Sequence, residues 1–220
     1  MPCYAVIDFE TTGSTPAQGA RATEVAICLL EGGRIVDRFA SLMNAGVRVP
    51  GFITQLTGIS NAMLAEAPPA HEVMAEAARF VGDRPMVAHN AAFDRQFWRA
   101  ELARCGLAAE QPFVCTVRLS RRLHPDAPNH RLGTLAQWFD LPTSGRAHRA
   151  LADAEVAAHL MARIERDVER RADGLAPGLS EWLHLQALPM AQVGRWLSAQ
   201  AAVAAGGAQA PTAGPRVTAR

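Results

Sequence analysis

Two acidic side chains stand two positions apart near the start of the chain. Asp8 and Glu10 lie at the end of an apolar run over residues 3–9, which has the pattern of a buried strand, and a Thr-Thr-Gly turn follows. Because side chains alternate along a strand, both carboxylates are predicted on one face, about 6.6 Å apart along the strand. Such a pair is costly to bury unless a cation joins it, although acidic residues also end strands as solvated groups.

A third acidic residue, Asp94, follows a short apolar strand predicted at residues 85–88. Asn90 is predicted to cap a helix that runs to about residue 104, which puts Asp94 in the first turn. Phe93 and Phe97 are four positions apart and share a helical face, and Asp94 is rotated off that face toward the strand end. On its own, Asp94 could simply complement the positive end of the helix dipole.

The third cluster is His148 and Asp153, near the start of a predicted Ala-rich helix. Five residues of continuous helix would place the two side chains about 140° apart, too far round to share a face. If they converge, His148 must lie on the loop before the helix, which Gly145 makes plausible. The alternative is a surface histidine.

Four carboxylates from three distant segments, each at a strand end or a helix start, have the composition of a metal site. Hard oxygen ligands suit Mg²⁺ or Mn²⁺ in preference to zinc. Two such ions, about 3.5–4 Å apart, can clamp the attacking and leaving oxygens of a phosphoryl displacement. The sequence therefore predicts a two-ion site for phosphoryl chemistry.

Strands are predicted to come first and then to alternate with helices. A tight turn at Gly32-Gly33 joins two of the first three strands, which indicates an antiparallel meander. The whole order is typical of an α/β protein whose mixed sheet is flanked by helices. The predicted strands are 3–9, 23–30, 34–42, 85–88 and 114–115, and the predicted helices are 60–64, 68–81, 90–104, 132–139 and 150–168.

The composition changes near residue 172, which predicts a boundary. Residues 1–171 are expected to form the catalytic domain, and residues 172–203 a linker with two short helices broken at Pro189. Residues 204–220 are almost only Ala, Gly, Pro, Thr and Arg and are expected to be disordered. Because every candidate catalytic residue precedes it, the segment after Gly174 is predicted to be dispensable for chemistry.

Bulk properties exclude several classes of protein. The formal net charge of the 220-residue chain is +1, so only local charge can indicate nucleic acid. The spacing of the four cysteines does not suit zinc, and we find no signal peptide and no apolar stretch near about 18 residues. We therefore expect a cytoplasmic protein that does not enter a membrane.

The three acidic clusters, in this order and rough spacing, resemble the motifs of the DEDD exonuclease superfamily over about residues 4–165. His148 places the resemblance in the histidine branch, and it is strongest to the proofreading epsilon subunits of bacterial DNA polymerase III. It implies a ribonuclease-H-like fold. It also implies a metal-dependent 3′–5′ exonuclease that hydrolyses terminal phosphodiester bonds of single-stranded DNA in proofreading or repair.

The resemblance also implies roles for individual residues. Asp8, Glu10 and Asp153 would ligate the catalytic ion, and Asp8 would bridge to the second. Asp94 would help through water, and His148 would accept a proton from the attacking water.

A strand-binding set follows from the same resemblance. An apolar loop supported by an aromatic ring would wedge against the terminal bases, and threonines would contact the terminal nucleotide. Two alternatives stay open: the apolar residues of the loop could be core, and the threonines could simply finish the turn. The set is Thr11, Thr12, Leu56, Thr57, Gly58, Ile59, His89, Asn90 and Phe93.

The partners expected are the 3′ end of single-stranded DNA and, through the C-terminal segment, a polymerase subunit or a sliding clamp. Residues 118–149 hold six arginines and two aspartates, which suits a phosphate backbone or merely a solvated face. Residues 186–190 loosely resemble a clamp-binding peptide. An RNA-trimming exoribonuclease of the ribonuclease T type and a non-enzymatic binding module remain as alternatives.

Overall fold

The computed structural model describes residues 2–207, with side chains through residue 203. In this part of the chain five strands form one sheet, in the order β3-β2-β1-β4-β5. The strands are β1 (Cys3–Thr11), β2 (Ala22–Glu31), β3 (Arg34–Leu42), β4 (Met86–Ala88) and β5 (Phe113–Cys115). The helices are α1 (Gly51–Thr57), α2 (Asn61–Ala65), α3 (Ala70–Val81), α4 (Ala91–Arg104), α5 (Thr116–Leu123), α6 (Leu132–Trp138), α7 (Ala150–Arg171), α8 (Leu179–Leu185) and α9 (Met190–Gly207).

The sheet is mixed, as the sequence predicts. Strands β1, β2 and β3 pair antiparallel as a meander, whereas β4 runs parallel to both β1 and β5. Strand β1 lies in the middle, and its side chains are buried on both faces up to Ile7. A parallel neighbour needs a long crossover connection, which residues 43–85 supply through three helices.

The two faces of the sheet build two hydrophobic cores. On β1, the even-numbered Tyr4 and Val6 pack in the core that contains α7. The odd-numbered Ala5, Ile7 and Phe9 pack in the core that contains α3 and α4. Alanines along the buried side of α7 allow that helix to approach the sheet closely. As a result, Asp8 and Glu10 continue the face of β1 that α7 covers.

Three local features differ from the prediction. Helices α1 and α5 are not predicted by the sequence pattern. In α1 the reason is that the helix is short and leaves Phe52 and Leu56 exposed. Asn90 precedes α4 but does not cap it with its side chain, and its backbone is left-handed with φ 71°. Asn adopts that conformation more readily than most residues because its short polar side chain tolerates it. Asn90 therefore supplies a sharp turn from β4 into α4.

The C-terminal helices pack against the same core as α7, which a separate appendage would not do. Trp182 and Leu185 are fully buried together with Tyr4 and Val6 of β1. The side chain of Gln186 also forms hydrogen bonds with two backbone groups at the outer edge of β5. Its Oε1 accepts from the backbone N–H of Cys115 (2.8 Å), and its Nε2 donates to the backbone carbonyl of Phe113 (3.2 Å). The boundary at residue 171 stays a prediction, but residues 179–197 contribute to the core of the catalytic domain.

The same packing bears on the clamp-binding peptide expected at residues 186–190. Gln186 and Leu188 are buried, and the carbonyl oxygen of Leu188 accepts from Nε of Arg122 (2.7 Å). Two of the five residues of this peptide are therefore occupied inside the protein, whereas Met190 is 49% exposed, and binding to a clamp stays a prediction.

The predicted disordered tail begins too early, because the backbone of α9 stays helical through Gly207. Residues 208–220 lie outside the described residues, and so does the rest of that prediction. Within residues 2–207, no helix combines the length and the apolar character needed to cross a membrane.

Candidate active site

Strand β1 presents Asp8 and Glu10 side by side on one face. Both are half-buried, whereas Phe9 between them is buried in the opposite core and packs against Phe97, with ring centroids 6.4 Å apart. The alternation that the sequence predicts therefore holds to the end of the strand.

The first turn of α4 brings Asp94 to the same place. Strand β4 pairs with β1 at Ala5 and Val6, so the backbone of Phe9 lies beyond the end of β4. There the N–H of Phe9 donates to Oδ1 of Asp94 (3.2 Å). Asp94 is only 2% exposed, so this contact satisfies a buried backbone donor as well as the carboxylate.

The start of α7 supplies the remaining two residues. His148 lies on the loop before the helix, with a left-handed backbone at φ 61°, and Asp153 is in the first turn. The N–H of His148 donates to Oδ2 of Asp153 (3.1 Å). A turn of this kind lets the two side chains converge, which a continuous helix would prevent. Ring nitrogen and carboxylate oxygens of Glu10, His148 and Asp153 lie within 4.8 Å of one another.

The acidic residues strongly perturb one another. Burial raises the pKa of Asp8 well above its usual value, and the charges of Asp94, Asp153 and Glu10 raise it further. Burial raises the pKa of Asp94 to about 8, although the hydrogen bond from Phe9 opposes this rise.

The pKa values of Glu10 and Asp153, at the more exposed side of the cluster, are also raised. Burial and the charges of Asp153 and Glu24 raise the pKa of Glu10 to about 7, against the opposing charge of Arg149. The pKa of Asp153 is also raised, chiefly by burial, while its hydrogen bond from His148 acts in the other direction. Carboxylates crowded at the end of a sheet hold their protons tightly unless positive charge joins them.

The donor set fits a hard divalent cation. Glu10, Asp153 and His148 offer two carboxylates and an imidazole at close range, and Asp8 and Asp94 add carboxylate oxygens beside them. Oxygen-rich groups of this kind suit Mg²⁺ and Mn²⁺, and a cation would relieve the mutual repulsion.

The predicted wedge loop divides into exposed and buried residues. Leu56 is 47% exposed at the end of α1, and Phe93 is half-buried against Phe97 with ring centroids 5.0 Å apart. Ile59, in contrast, is fully buried in a small core, which favours the alternative that it is a core residue; its contact with bases stays a prediction. Thr57 is also buried, and its hydroxyl donates to the carbonyl of Ile53 (2.9 Å). Leu56 is thus the residue of this loop that offers an apolar surface.

Gly58 has a local structural reason to be glycine. Its backbone is left-handed with φ 78°, and a Cβ there would lie 2.8 Å from Nη1 of Arg146. Nη2 of Arg146 donates to the carbonyls of Gln55 (3.3 Å) and Leu56 (3.5 Å). The end of α1 therefore contacts the loop that carries His148.

The two threonines after β1 use their hydroxyls within the turn. Oγ1 of Thr11 donates to the carbonyl of Gly13 (2.7 Å), and Oγ1 of Thr12 accepts from the N–H of Arg21 (3.0 Å). These contacts favour the structural alternative for both side chains. Their contact with a substrate stays a prediction.

His89 is likewise engaged inside the protein. Its Nδ1 lies 2.9 Å from Oγ1 of Thr116 and its Nε2 lies 3.0 Å from the carbonyl of His130. Burial lowers its pKa to about 4, so the ring is neutral near pH 7. Asn90 next to it is exposed and remains free to meet a ligand.

One residue beside the site is missed by the sequence reasoning. Glu24 of β2 is paired in register with Glu10 and is only 5% exposed. Its carboxylate accepts from Nη2 of Arg149 (2.7 Å) and from the N–H of Ala150 (3.0 Å). The signal was present, because a single carboxylate interrupts the apolar run of 23–30 and a buried charge needs a partner.

Comparison with known proteins assigns the chain to a family. A family model described as Exonuclease (RNase_T) matches residues 5–161, and the chain belongs to this exonuclease family. It is 37% identical over 169 residues to DNA polymerase III PolC-type of Halalkalibacterium halodurans. This match covers 76% of this chain and 12% of that protein. It is 35% identical over 162 residues to DNA polymerase III subunit epsilon of Aquifex aeolicus, covering 73% of this chain and 79% of that protein.

Solved structures share the fold. Exonuclease X in complex with 5′ overhanging duplex DNA superposes with a TM-score of 0.65 at 24% identity, covering 84% of this chain and 99% of that one. The nuclease domain of 3′hExo, a DEDDh family member bound to rAMP, gives 0.64 at 19% identity, covering 75% and 92%. The predicted exonuclease family and the predicted ribonuclease-H-like fold are confirmed.

Proposed function

We propose that this chain is a 3′–5′ exonuclease that hydrolyses the terminal phosphodiester bond of single-stranded DNA with Mg²⁺ or Mn²⁺, two ions per site. The observation that carries the proposal is the meeting of Glu10, His148 and Asp153 within 4.8 Å, beside the buried Asp94 and the half-buried Asp8. Carboxylates with raised pKa values are suited to take up divalent cations.

In this proposal Asp8, Glu10 and Asp153 would hold the catalytic ion, and Asp8 and Asp94 would hold the second. When bound, the cations offset the charge that develops on the phosphate oxygens. Each of these carboxylates is fixed by its place on β1, α4 or α7, so the ligands are arranged before a substrate arrives.

His148 acts as the general base. Its ring accepts a proton from a water molecule whose oxygen attacks the terminal phosphorus. The bond from phosphorus to the 3′ oxygen of the preceding nucleotide breaks, and that oxygen takes a proton from solvent. The products are a nucleoside 5′-monophosphate and a strand shortened by one nucleotide.

The exposed Leu56 and the half-buried Phe93 are the apolar groups offered to the terminal bases. Apolar packing against bases does not depend on their identity, which suits an enzyme that shortens any sequence. The relatives named as DNA polymerase III proteins favour DNA over the RNA-trimming alternative. A polymerase subunit or a sliding clamp as partner, a role in proofreading or repair, and a cytoplasmic location stay predictions.

The test uses a single-stranded DNA labelled at its 5′ end and an RNA of the same sequence, each with Mg²⁺. A 3′–5′ exonuclease gives a ladder of labelled products that shortens from the 3′ end. The Asp8→Asn variant serves as the control for a contaminating nuclease. Immediate release of labelled mononucleotide would contradict the polarity, and faster loss of the RNA would contradict the substrate.

A further inference from the structure

An ion pair between a buried carboxylate and a partly exposed arginine follows the proposed general base in the sequence. Glu24 of β2 accepts two hydrogen bonds from the guanidinium of Arg149, at 3.1 Å from Nε and 2.7 Å from Nη2. It accepts a third from the N–H of Ala150, the first residue of α7 (3.0 Å). A bidentate contact of this kind fixes both distance and direction.

The two anchored residues follow His148 immediately. His148 itself has a left-handed backbone at φ 61°, a conformation that costs free energy in a residue other than glycine and needs support from its surroundings. Its N–H contact with Asp153 fixes one side of the turn, and the contacts of Glu24 with Arg149 and Ala150 fix the other.

We propose that Glu24 is a positioning residue that holds the His148 turn in the conformation needed for proton transfer, by anchoring Arg149 and Ala150. The charge of Glu24 raises the pKa of Glu10 and that of Arg149 opposes it, so the test must separate this electrostatic effect from positioning through His148. This inference rests on the proposed role of His148.

Glu24→Gln is the test variant, because it keeps the shape of the side chain. A glutamine amide has one acceptor oxygen and two N–H donors, so it would set a donor against either Arg149 or Ala150. A misplacement of about 1 Å can cost about 10²-fold, so we expect kcat on single-stranded DNA to fall about 10–100-fold. We expect KM to change by less than about threefold, since Glu24 does not contact the strand.

A double-mutant cycle with His148→Ala separates positioning from general stability. If Glu24 acts through His148, Glu24→Gln should cost less than about threefold once His148 is absent. An equal loss in both backgrounds would overturn the inference. Turnover of His148→Ala at the wild-type rate would instead overturn the proposed general base, so the two failures are distinguishable.

The chain offers a matched control in Glu101, which is 1% exposed and makes the same pattern of contacts. Its carboxylate accepts from Nε and Nη2 of Arg21 (both 2.9 Å) and from the N–H of Ala22 (3.1 Å), away from His148. Glu101→Gln should lower the thermal midpoint as Glu24→Gln does, but any loss of kcat should be the same with and without His148.

A readout independent of turnover is the NMR spectrum of the His148 ring in metal-free protein. In Glu24→Gln its ring proton signals should move toward those of an unstructured histidine, and in Glu101→Gln they should not. Arg149→Met, which leaves the Ala150 contact in place, should give a smaller shift in the same direction. Unchanged His148 signals in a folded Glu24→Gln protein would overturn the inference.

Discussion

The backbone N–H of Phe9 donates a 3.2 Å hydrogen bond to Oδ1 of Asp94, a residue 85 positions later. This contact draws the first turn of α4 to the point on β1 between Asp8 and Glu10. The side chain of Asp94, which could have served only the helix dipole, thus also connects α4 to β1.

The first prediction concerns the cations. Asp8→Asn should lower turnover on single-stranded DNA by about 10³-fold or more, because stabilisation of the phosphate by metal is worth several kcal/mol. An excess of chelator should stop the wild type, and added Mg²⁺ or Mn²⁺ should restore it. The measurement is the rate of mononucleotide release, with circular dichroism to show that the variant is folded. Wild-type rates in excess chelator would refute the metal requirement.

The second prediction concerns His148. His148→Ala should lower kcat by about 10²–10⁴-fold, the usual contribution of a general base. Since Mg²⁺ prefers oxygen ligands, its affinity measured by calorimetry should change little. A large loss of Mg²⁺ affinity with little change in kcat would make His148 a ligand instead.

The third prediction concerns pH and stability in metal-free protein. The pKa of Asp94 rises from its ordinary 3.8 to about 8 on folding, so the folded state binds its proton more tightly than the unfolded state does. The stability that Asp94 contributes is full below pH 3.8 and is lost as the pH rises through 8. Glu10, with a pKa of about 7, acts in the same direction.

In the presence of chelator, the thermal midpoint should therefore decrease by a few degrees as the pH is raised from 6.5 to 8.5, at about 2–4 °C per kcal/mol. His89 and His124 have pKa values lowered to about 4, so their opposing effect lies below this window. In Asp94→Asn, which still accepts from Phe9, the fall should be smaller. Equal falls in both proteins would show that Asp94 does not titrate there. Mg²⁺ should raise the wild-type midpoint more at pH 8.5.

The fourth prediction concerns the stability that the segment after Gly174 contributes, while its dispensability for chemistry stays a prediction. A chain ending at Asp173 loses the buried Trp182 and Leu185 and uncovers the edge of β5. Removing a buried tryptophan alone costs about 3–5 kcal/mol, so chemical denaturation should show at least that loss of stability. A chain ending at Val203 keeps every one of these contacts and should unfold close to the wild-type midpoint.

The fifth prediction separates the two apolar residues of the wedge loop. Leu56→Ala should raise KM for single-stranded DNA several-fold, because apolar packing against the terminal bases is lost, and should leave stability almost unchanged. Ile59→Ala should instead cost about 2–5 kcal/mol of stability, because Ile59 is fully buried. A higher KM for Ile59→Ala at unchanged stability would reverse this assignment.

The sequence predicts the sheet well because its signals are local. The alternation that places Asp8 and Glu10 on one face, and the angular argument that moves His148 off the helix, depend only on strand and helix geometry. The division between Leu56 and Ile59 depends instead on the left-handed turn at Gly58, which ends α1 between them, and on the packing of Ile59 with residues distant in sequence.

Partners distant in sequence account for the other differences. Glu24 and Gln186 each satisfy backbone groups more than 70 positions away, and no local pattern names such a partner. The sequence around Gln186 resembles a short clamp-binding peptide, whereas its side chain forms hydrogen bonds with the backbone of the edge strand β5.

The position of α7 near the end of the catalytic fold has a consequence for synthesis. A chain growing from its N-terminus contains Asp8, Glu10 and Asp94 long before the segment that carries His148 and Asp153 has been made. Because a domain generally folds as a unit, the proposed set of ligands in the nascent chain stays incomplete until α7 has been made and packs on the sheet. The proposed site is therefore completed only by a segment that lies more than 50 positions after Asp94 in the sequence.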